Sequence, residues 1–172
     1  MLRTGIVIAA LCLLVPTFAL AQSSSRGPVE ITLGASGNNG PNFNGFDAAG
    51  TGSVGYFFAD PLELKLTQSA AYSDLGGARG WDASTELGLD FHMPIADTLL
   101  PYVGANIGYV YGNQVRDTWE AAPEAGIKWF VTPSTFIYGS VEYQFFFSQN
   151  STAASALRNG QFIYGVGIGF RF

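Results

Sequence analysis

Two acidic residues and the only histidine of this sequence lie at even-numbered positions of one segment. Glu86, Asp90 and His92 alternate with apolar residues, so an extended strand places all three on one face. A histidine next to a serine on such a face could act as the base in acyl hydrolysis. The next residue on that face is Pro94, so the pattern supplies no serine there. We therefore expect His92 to pair with Asp90 or Glu86, and we expect no enzymatic activity.

Other kinds of site have little support in the sequence. The only cysteine is Cys12, inside an N-terminal segment that we expect to be removed, so the mature chain offers no thiolate. Neither a glycine-rich phosphate loop nor a metal-ligand spacing is present, and we expect no cofactor and no metal site. The sequence has 13 acidic and 8 basic residues, which disfavours nucleic-acid binding.

The N-terminus has the features of a secretory signal peptide. Arg3 precedes an apolar stretch over residues 6–15, and residues 19–21 (Ala-Leu-Ala) match an A-x-A cleavage site. The apolar stretch is too short to span a membrane as a helix, which disfavours the alternative of a permanent anchor. We expect residues 1–21 to be cleaved and residues 22–172 to form a single domain.

Eight segments of the mature chain alternate between apolar residues and small or polar ones, as half-buried β-strands do. Charged residues make up only 12% of the sequence, and no apolar run of about 18 residues follows the N-terminus. This leaves two architectures, a soluble β-sandwich or a membrane β-barrel. Pro123 cannot donate to a ladder, so we expect a bulge or local distortion in the sixth strand. The predicted strands are residues 29–36, 48–58, 62–72, 81–93, 100–111, 118–131, 135–147 and a final strand that ends at residue 172.

The connections and the aromatic residues favour the barrel. Three connections are short, and the four that alternate with them are longer and rich in Gly, Asn and Asp. With the apolar face outward, aromatic side chains gather near both ends of the strands, as in the interfacial belts of a membrane barrel. A sandwich core gives no reason for that distribution. The short connections are residues 60–61, 94–97 and 132–134, and the longer ones are 37–47, 74–80, 112–117 and 149–159.

The last strand runs to the C-terminus with large apolar residues at every second position. Gly167, Phe170 and the terminal Phe172 resemble the C-terminal assembly signal of bacterial outer-membrane β-barrels, with Gly165 in place of the usual polar residue. The mature chain as a whole resembles the small eight-stranded, OmpA/OmpX-like outer membrane β-barrel domain family. The resemblance implies an all-β fold, an eight-stranded antiparallel up-and-down transmembrane β-barrel. It also implies a place in the bacterial outer membrane, with both termini in the periplasm.

In such a barrel the polar face lines a lumen that is only wide enough for side chains to fill. Two interpretations remain: a plug of internal ion pairs and hydrogen bonds, or a narrow, low-conductance pathway for small cations or solutes. We expect Lys65 within salt-bridge reach of Asp90 or Glu86, and Glu30 beside Arg171 where the eighth strand closes on the first. The predicted lumen residues are Glu30, Glu63, Lys65, Glu86, Asp90, His92, Glu120, Glu124, Lys128, Glu142 and Arg171.

The outer loops are then expected to carry the function, in envelope structure or in surface contacts of the adhesion and evasion type. The resemblance implies outer-membrane lipid and lipopolysaccharide as surroundings, the barrel-assembly machinery during insertion, and a monomeric protein with an unidentified host or surface ligand. A lipid-modifying enzyme is the less favoured alternative, because His92 has no nucleophile beside it. The candidate contact residues are Asn42, Phe43, Asn44 and Phe46, which could equally be rim aromatics at the headgroups.

Overall fold

The computed structural model of this chain describes residues 27–39, 46–75, 78–113, 117–147 and 160–172. Nearly all of these residues lie in β-strands. This part of the chain contains no helix that is long and apolar enough to cross a membrane.

Eight strands follow one another along the chain. Each pairs antiparallel with the next, and the eighth pairs with the first, so the sheet is a closed barrel and the predicted fold class is confirmed. We call the end that holds the start of the first strand and the end of the last the terminal end, and the opposite end the loop end. The strands are β1 (Val29–Asn39), β2 (Phe46–Ala59), β3 (Leu62–Leu75), β4 (Ala78–His92), β5 (Leu99–Gly112), β6 (Thr118–Phe130), β7 (Thr135–Phe146) and β8 (Gln161–Arg171).

The two-residue period of the sequence decides which side chains face the lumen. In β2, for example, Ser53 and Phe57 are buried, whereas Val54, Tyr56 and Phe58 are exposed on the outer face. An outer face made of large apolar side chains fits lipid as its solvent. The predicted aromatic residues also lie on that face, and among them are Trp81 and Trp119 near the loop end and Trp129 and Phe170 near the terminal end.

The strands reach further toward the loop end than the sequence predicted. β1 continues to Asn39, β2 already begins at Phe46, and only residues 76–77 separate β3 from β4. Gly, Asn and Asp favour turns locally, but backbone pairing across each hairpin overrides that preference. The predicted connections 37–47 and 74–80 were therefore too long.

This extension also corrects the predicted contact loop. Phe46 belongs to β2 rather than to a loop, and its ring centroid lies 5.5 Å from that of Tyr72. Asn42, Phe43 and Asn44 lie outside the described residues.

Pro123 interrupts the ladder between β6 and β7 without adding a bulge. Pairing with β7 keeps one register at Ala121 and at Glu124 and skips the two residues between them. Proline has no N–H to donate, which explains the gap. The prediction of a bulge or local distortion is therefore confirmed, in the form of a local distortion. A register shift occurs instead between Phe57 and Ala59, where β2 meets β3.

The barrel closes along the terminal part of the β1–β8 seam. Val29 and Phe172 exchange two backbone hydrogen bonds of 3.0 and 2.9 Å. Glu30 and Arg171 are register partners, and both side chains are buried in the lumen. Closure and the predicted inward direction of these two residues are therefore confirmed.

Toward the loop end the same seam is not paired. The β1–β8 register ends at Gly34 with Gly167, whereas β1 stays paired with β2, and β8 with β7, over their full lengths. Residues 35–39 of β1 and 161–166 of β8, which we call the upper seam, thus pair on one side only within the part of the chain that the structure describes.

Candidate functional site in the barrel lumen

The terminal half of the lumen is centred on one lysine. Lys128 on β6 contacts Glu30 on β1 and Glu63 on β3, with Nζ to carboxylate distances of 2.5 and 2.9 Å. All three side chains are almost completely buried. A buried cation held by two carboxylates is stable only because the charges compensate one another, so these residues tie together three strands.

Aromatic rings enclose this charged centre. Phe57, Tyr102 and Phe136 place their ring centroids 5.2 to 5.5 Å from Lys128 Nζ, at distances typical of cation–π contacts. Phe136 is 0% exposed and packs against Phe130 and Leu100. The terminal half of the lumen is consequently filled by side chains.

His92 belongs to the same packed layer. Its ring lies between those of Phe57 and Tyr102, with centroid distances of 4.9 and 5.3 Å. The carboxylate next to its Nε2 is that of Glu63, at 3.3 Å, rather than the expected Asp90 or Glu86. The predicted face is correct, but the partner carboxylate comes from the neighbouring strand β3.

Arg171 completes the layer at the seam. Its guanidinium carbon lies 3.5 Å from the Phe57 ring centroid, and its Nε donates a hydrogen bond of 2.9 Å to the carbonyl of Gly27. Glu30 is the register partner of Arg171, and it forms its ion pair across the lumen with Lys128.

The other lysine of the sequence, Lys65, forms a similar cluster in the middle of the barrel. Lys65 Nζ lies 2.8 Å from Asp90 on β4 and 2.8 Å from Glu124 on β6. The predicted pairing with Asp90 is confirmed, and Glu124 is a partner that the sequence did not indicate. Glu124 also accepts hydrogen bonds from Tyr102 Oη at 2.9 Å and from Asn106 Nδ2 at 3.1 Å.

The loop half of the lumen holds three carboxyl groups that form no salt bridge with a cation among the described residues. Ser84 donates to Glu86 at 2.6 Å, Gln144 donates to Glu120, and Asn106 donates to Glu142 at 3.1 Å. Among the described lumen residues, the carboxylates without a salt bridge therefore lie in this half.

Two of these carboxylates meet over a glycine. Gly108 is the register partner of both Glu86 and Glu120, so all three residues form one row across β4, β5 and β6. A Cβ at Gly108 would lie 2.5 Å from Glu86 Cγ and 2.8 Å from Glu120 Oε1. The glycine is what leaves room for the two side chains.

Several members of the network were not singled out from the sequence. Tyr102, Asn106 and Gln144 contribute hydrogen bonds to the carboxylates, and Phe57 and Phe136 enclose Lys128. All five lie on the lumen face by the same alternation, which was the available signal. The predicted lumen residues were charged side chains and His92, so these five were not among them.

The three residues of the predicted assembly signal lie at the seam. Phe170 and Phe172 point outward and are exposed, and Gly167 faces inward opposite Gly34. A Cβ on Gly167 would meet the carbonyl of Leu33 and, at 2.7 Å, the ring of Tyr138. Packing alone thus requires a glycine at this position.

In the part of the chain that the structure describes, the polar side chains of the lumen form ion pairs and hydrogen bonds with one another. No group of three or more His, Cys, Asp or Glu side chains in that part of the chain is arranged to hold a metal ion. The arrangement compensates buried charges inside a closed barrel whose outer face is apolar.

A family model described as "Outer membrane protein beta-barrel domain" matches residues 6–172. The chain belongs to this family. The match confirms the resemblance noted in the sequence and locates this outer-membrane β-barrel protein in the bacterial outer membrane.

Solved structures of outer-membrane barrels share this fold. The N-terminal β-barrel domain of OprF from Pseudomonas aeruginosa is 24% identical, with a TM-score of 0.59 over 86% of this chain and 98% of that chain. Neisserial surface protein A is 12% identical, with a TM-score of 0.58 over 87% and 98% of the two chains. Ail from Yersinia pestis is 16% identical, with a TM-score of 0.56 over 85% and 99%. No curated protein sequence matches the chain.

Proposed function

We propose that this protein is a monomeric outer-membrane barrel that is sealed to ions in its terminal half and acts through envelope structure and contacts at its loop end, without an enzymatic step. The observation that carries the proposal is the Lys128 cluster. Lys128, Glu30 and Glu63 are joined across the lumen and surrounded by the rings of Phe57 and Phe136. An ion would have to break these pairs to pass.

Single-channel recording tests the seal. In planar bilayers the purified protein is expected to give no stable conductance steps. The alternative, a narrow cation pathway, draws on the acid excess of the loop half. Stable, cation-selective steps that disappear in the variants Glu124→Gln and Glu142→Gln would establish that pathway and overturn the seal. Heat-modifiable gel migration of every sample shows that the barrel in the bilayer is folded.

We also propose that the terminal end faces the periplasm and the loop end faces the outside of the cell. The support is the fourteen-residue connection over residues 147–160, which leaves from the loop end, while residues 60–61 and 131–134 are short turns at the terminal end. Periplasmic turns of such barrels are short, and their outer loops are longer.

Cysteine labelling tests this orientation, since the mature chain is predicted to have no other cysteine. Asp117→Cys at the loop end should react with a membrane-impermeant maleimide on intact cells. Asp97→Cys, in a terminal-end turn, is the matched control and should react only after the outer membrane is permeabilised. The opposite pattern would invert the proposed orientation.

The proposed partners follow from the location. They are lipopolysaccharide and lipid around the barrel, the barrel-assembly machinery during insertion, and a surface or host ligand at the loop end. Deleting Phe172 is expected to lower the amount of protein inserted in the outer membrane, measured by fractionation and heat-modifiable migration. Truncation of Phe147, an equally exposed aromatic residue outside the C-terminal signal, to alanine is the control. Equal insertion of both variants would speak against a role for the C-terminal signal.

A further inference from the structure

Three polar side chains lie together on the outer face of the barrel, where lipid is the solvent. Gln68 on β3 and Thr85 on β4 are register partners, and Tyr111 on β5 reaches both of them. Their neighbours on the same face are apolar, among them Leu66 and Leu87, which are 38% and 48% exposed. Alternation normally turns polar side chains toward the lumen, so these three residues, which we call the outer polar cluster, depart from the pattern of the barrel.

Hydrogen bonds join the members of the outer polar cluster and leave acceptor capacity over. Thr85 Oγ1 donates to Gln68 Oε1 at 2.7 Å, and Tyr111 Oη lies 3.2 Å from Gln68 Nε2. Gln68 Nε2 also lies 2.7 and 3.0 Å from the backbone carbonyls of Ser84 and Ser69, so three acceptors share its two hydrogens. Gln68 Oε1 and Tyr111 Oη, in contrast, each keep a lone pair. The cluster can therefore accept a hydrogen bond from a ligand that carries a hydroxyl group.

The outer polar cluster lies at the depth of the acyl chains rather than at the membrane surface. Thr85 is four residues from Trp81, near the loop end, and six residues from Phe91, near the terminal end. At about 3.4 Å per residue these separations are about 14 and 20 Å along a tilted strand, within an apolar band about 25 Å tall. A polar group at this depth finds no water, so its partners come from the protein or from a lipid chain.

A shallow depression lies beside the outer polar cluster, on the outer face of β2. Its floor contains Gly50 and Gly52, and Gly52 is the register partner of Gln68. A Cβ at Gly50 would come no closer than 4.0 Å to an atom beyond its chain neighbours, whereas one at the inward Gly108 would lie 2.5 Å from Glu86 Cγ. Glycine weakens a strand, and the packing of the described residues does not require it at Gly50. The outer glycines thus leave room on the lipid side of the sheet.

Larger side chains bound this depression. Val54, which is 55% exposed, closes it on the side of the terminal end. The floor continues over Ala48 toward the loop end, where the ring centroids of Phe46 and Tyr72 lie 5.5 Å apart. Ala70, the register partner of Gly50, is also small, so the depression is open toward Gln68 on the same strand. A single acyl chain that follows β2 would therefore pass directly beside the outer polar cluster.

We propose that the outer polar cluster and the depression bind one hydroxylated acyl chain of a membrane lipid. The chain lies along β2 over Gly50 and Gly52, and a hydroxyl group in its middle part donates a hydrogen bond to Gln68 Oε1 or Tyr111 Oη. A hydroxyl group in hydrocarbon lacks other polar partners, so the chain and the cluster satisfy each other. The site goes beyond the proposed function, since it requires neither the seal around Lys128 nor the proposed orientation.

The hydroxyl group is tested with the full mature protein in phospholipid nanodiscs. The probe is a phosphatidylglycerol with a 10-hydroxyoctadecanoyl chain, added in rising fractions to phospholipids that lack hydroxylated chains. Saturable shifts of the Gln68 side-chain amide and the Thr85 backbone amide resonances are expected. The same lipid with a plain octadecanoyl chain should bind about fivefold more weakly or less, because it offers no hydrogen bond. A 2-hydroxyoctadecanoyl chain, whose hydroxyl group stays near the headgroup, should behave like the plain chain.

Variants test the cluster and the depression separately, with the Thr85 amide as the readout. Gln68→Leu should weaken binding by about fivefold, and Gly50→Leu, which fills the depression and leaves the cluster intact, should abolish the shifts. Gly139→Leu is the matched control, because Gly139 lies on the outer face of β7 and its Cβ would also meet open space. These changes place apolar side chains against lipid, so the barrel is expected to fold, and heat-modifiable migration of each variant checks this.

The outcomes are distinct. Absence of saturable shifts, or equal binding of the plain or the 2-hydroxy chain, would overturn the proposal. Unchanged binding by Gln68→Leu or by Gly50→Leu would overturn it as well, because the site would then lie elsewhere. Displacement of the lipid by an equal amount of free 10-hydroxyoctadecanoic acid would overturn the assignment to a membrane lipid in favour of a free fatty acid. Each result leaves the conductance test of the seal unaffected.

Discussion

The terminal and loop halves of the lumen have the same alternating sequence pattern but differ in how their carboxylates are compensated. In the terminal half and middle, Lys128 and Lys65 each join two carboxylates from different strands, and aromatic rings fill the remaining space. In the loop half, Glu86, Glu120 and Glu142 accept hydrogen bonds from amide or hydroxyl groups and form no salt bridge with a cation among the described residues.

The β1–β8 seam also differs between the two halves. It is paired beside the Lys128 cluster and unpaired beside Glu142. The two halves thus differ along the barrel axis. In the terminal half, salt bridges and backbone pairing hold the strands together. In the described part of the loop half, the carboxylates have no salt bridge and the seam has no strand pairing. Sites of function are commonly built from the less stable part of a fold.

The largest expected effect is the loss of the Lys128 charge. Lys128→Met leaves Glu30 and Glu63 buried without a cation, which is expected to lower the free energy of unfolding by about 3–5 kcal/mol. Urea or guanidinium unfolding in lipid vesicles measures it. Glu142→Gln, the counterpart in the loop half, should change stability by less than about 1 kcal/mol, because its carboxylate has no cation to strand.

A triple variant separates charge from packing. Lys128→Met combined with Glu30→Gln and Glu63→Gln removes all three charges and should recover most of the lost stability. If the triple variant is as unstable as Lys128→Met alone, the Lys128 side chain acts by filling space, and the contrast between the two halves is not electrostatic.

A smaller effect is expected from adding one methyl group in each half. Gly126→Ala, in the terminal half, would place Cβ 2.5 Å from the Tyr102 ring and Oη, which are held by Glu124. Overpacking of this kind costs about 1–3 kcal/mol. Gly108→Ala meets the flexible side chains of Glu86 and Glu120 and should cost less. Equal unfolding free energies for the two variants would show that both halves are equally rigid.

The smallest effect is local and concerns the seam. The hydrogen bonds between Val29 and Phe172 fix the alternation, so the amides of Phe162 and Tyr164 point toward β1, where the register pairs have ended. Hydrogen exchange measured by NMR should be faster there than at Ile168 and Phe170. Uniform protection along β8 would show that the seam is closed in the membrane.

Much of the fold could be predicted from the two-residue period of apolar residues and from the spacing of the strands along the sequence. Alternation assigned Glu63 and Lys65 to the lumen and Leu64 and Leu66 to the outer face, because strand geometry leaves only two directions. Closure of the last strand on the first was predictable for a physical reason as well, since an open edge is costly in hydrocarbon.

The partners inside the lumen were less predictable. Lys65 with Asp90 joins neighbouring strands, and neighbours follow from chain order. Lys65 with Glu124 and Lys128 with Glu30 cross the lumen between strands that are not neighbours, so they depend on barrel width and on how far each side chain reaches. The half-paired seam depends on the relative twist of two complete strands, which no local pattern encodes.

The Lys128 cluster has a consequence for the order of assembly. Its pairs join residues that are 98 and 65 positions apart in the chain. Contacts between such distant residues form late, because most of the chain must be in place first. Until β6 approaches β1, two carboxylates and a lysine have no partners, and moving them into hydrocarbon alone is unfavourable. Time-resolved heat-modifiable migration should therefore show partly inserted forms of the triple neutral variant that the natural chain does not accumulate. On this account, the charges of the Lys128 cluster delay membrane entry until the strands that neutralise them have arrived.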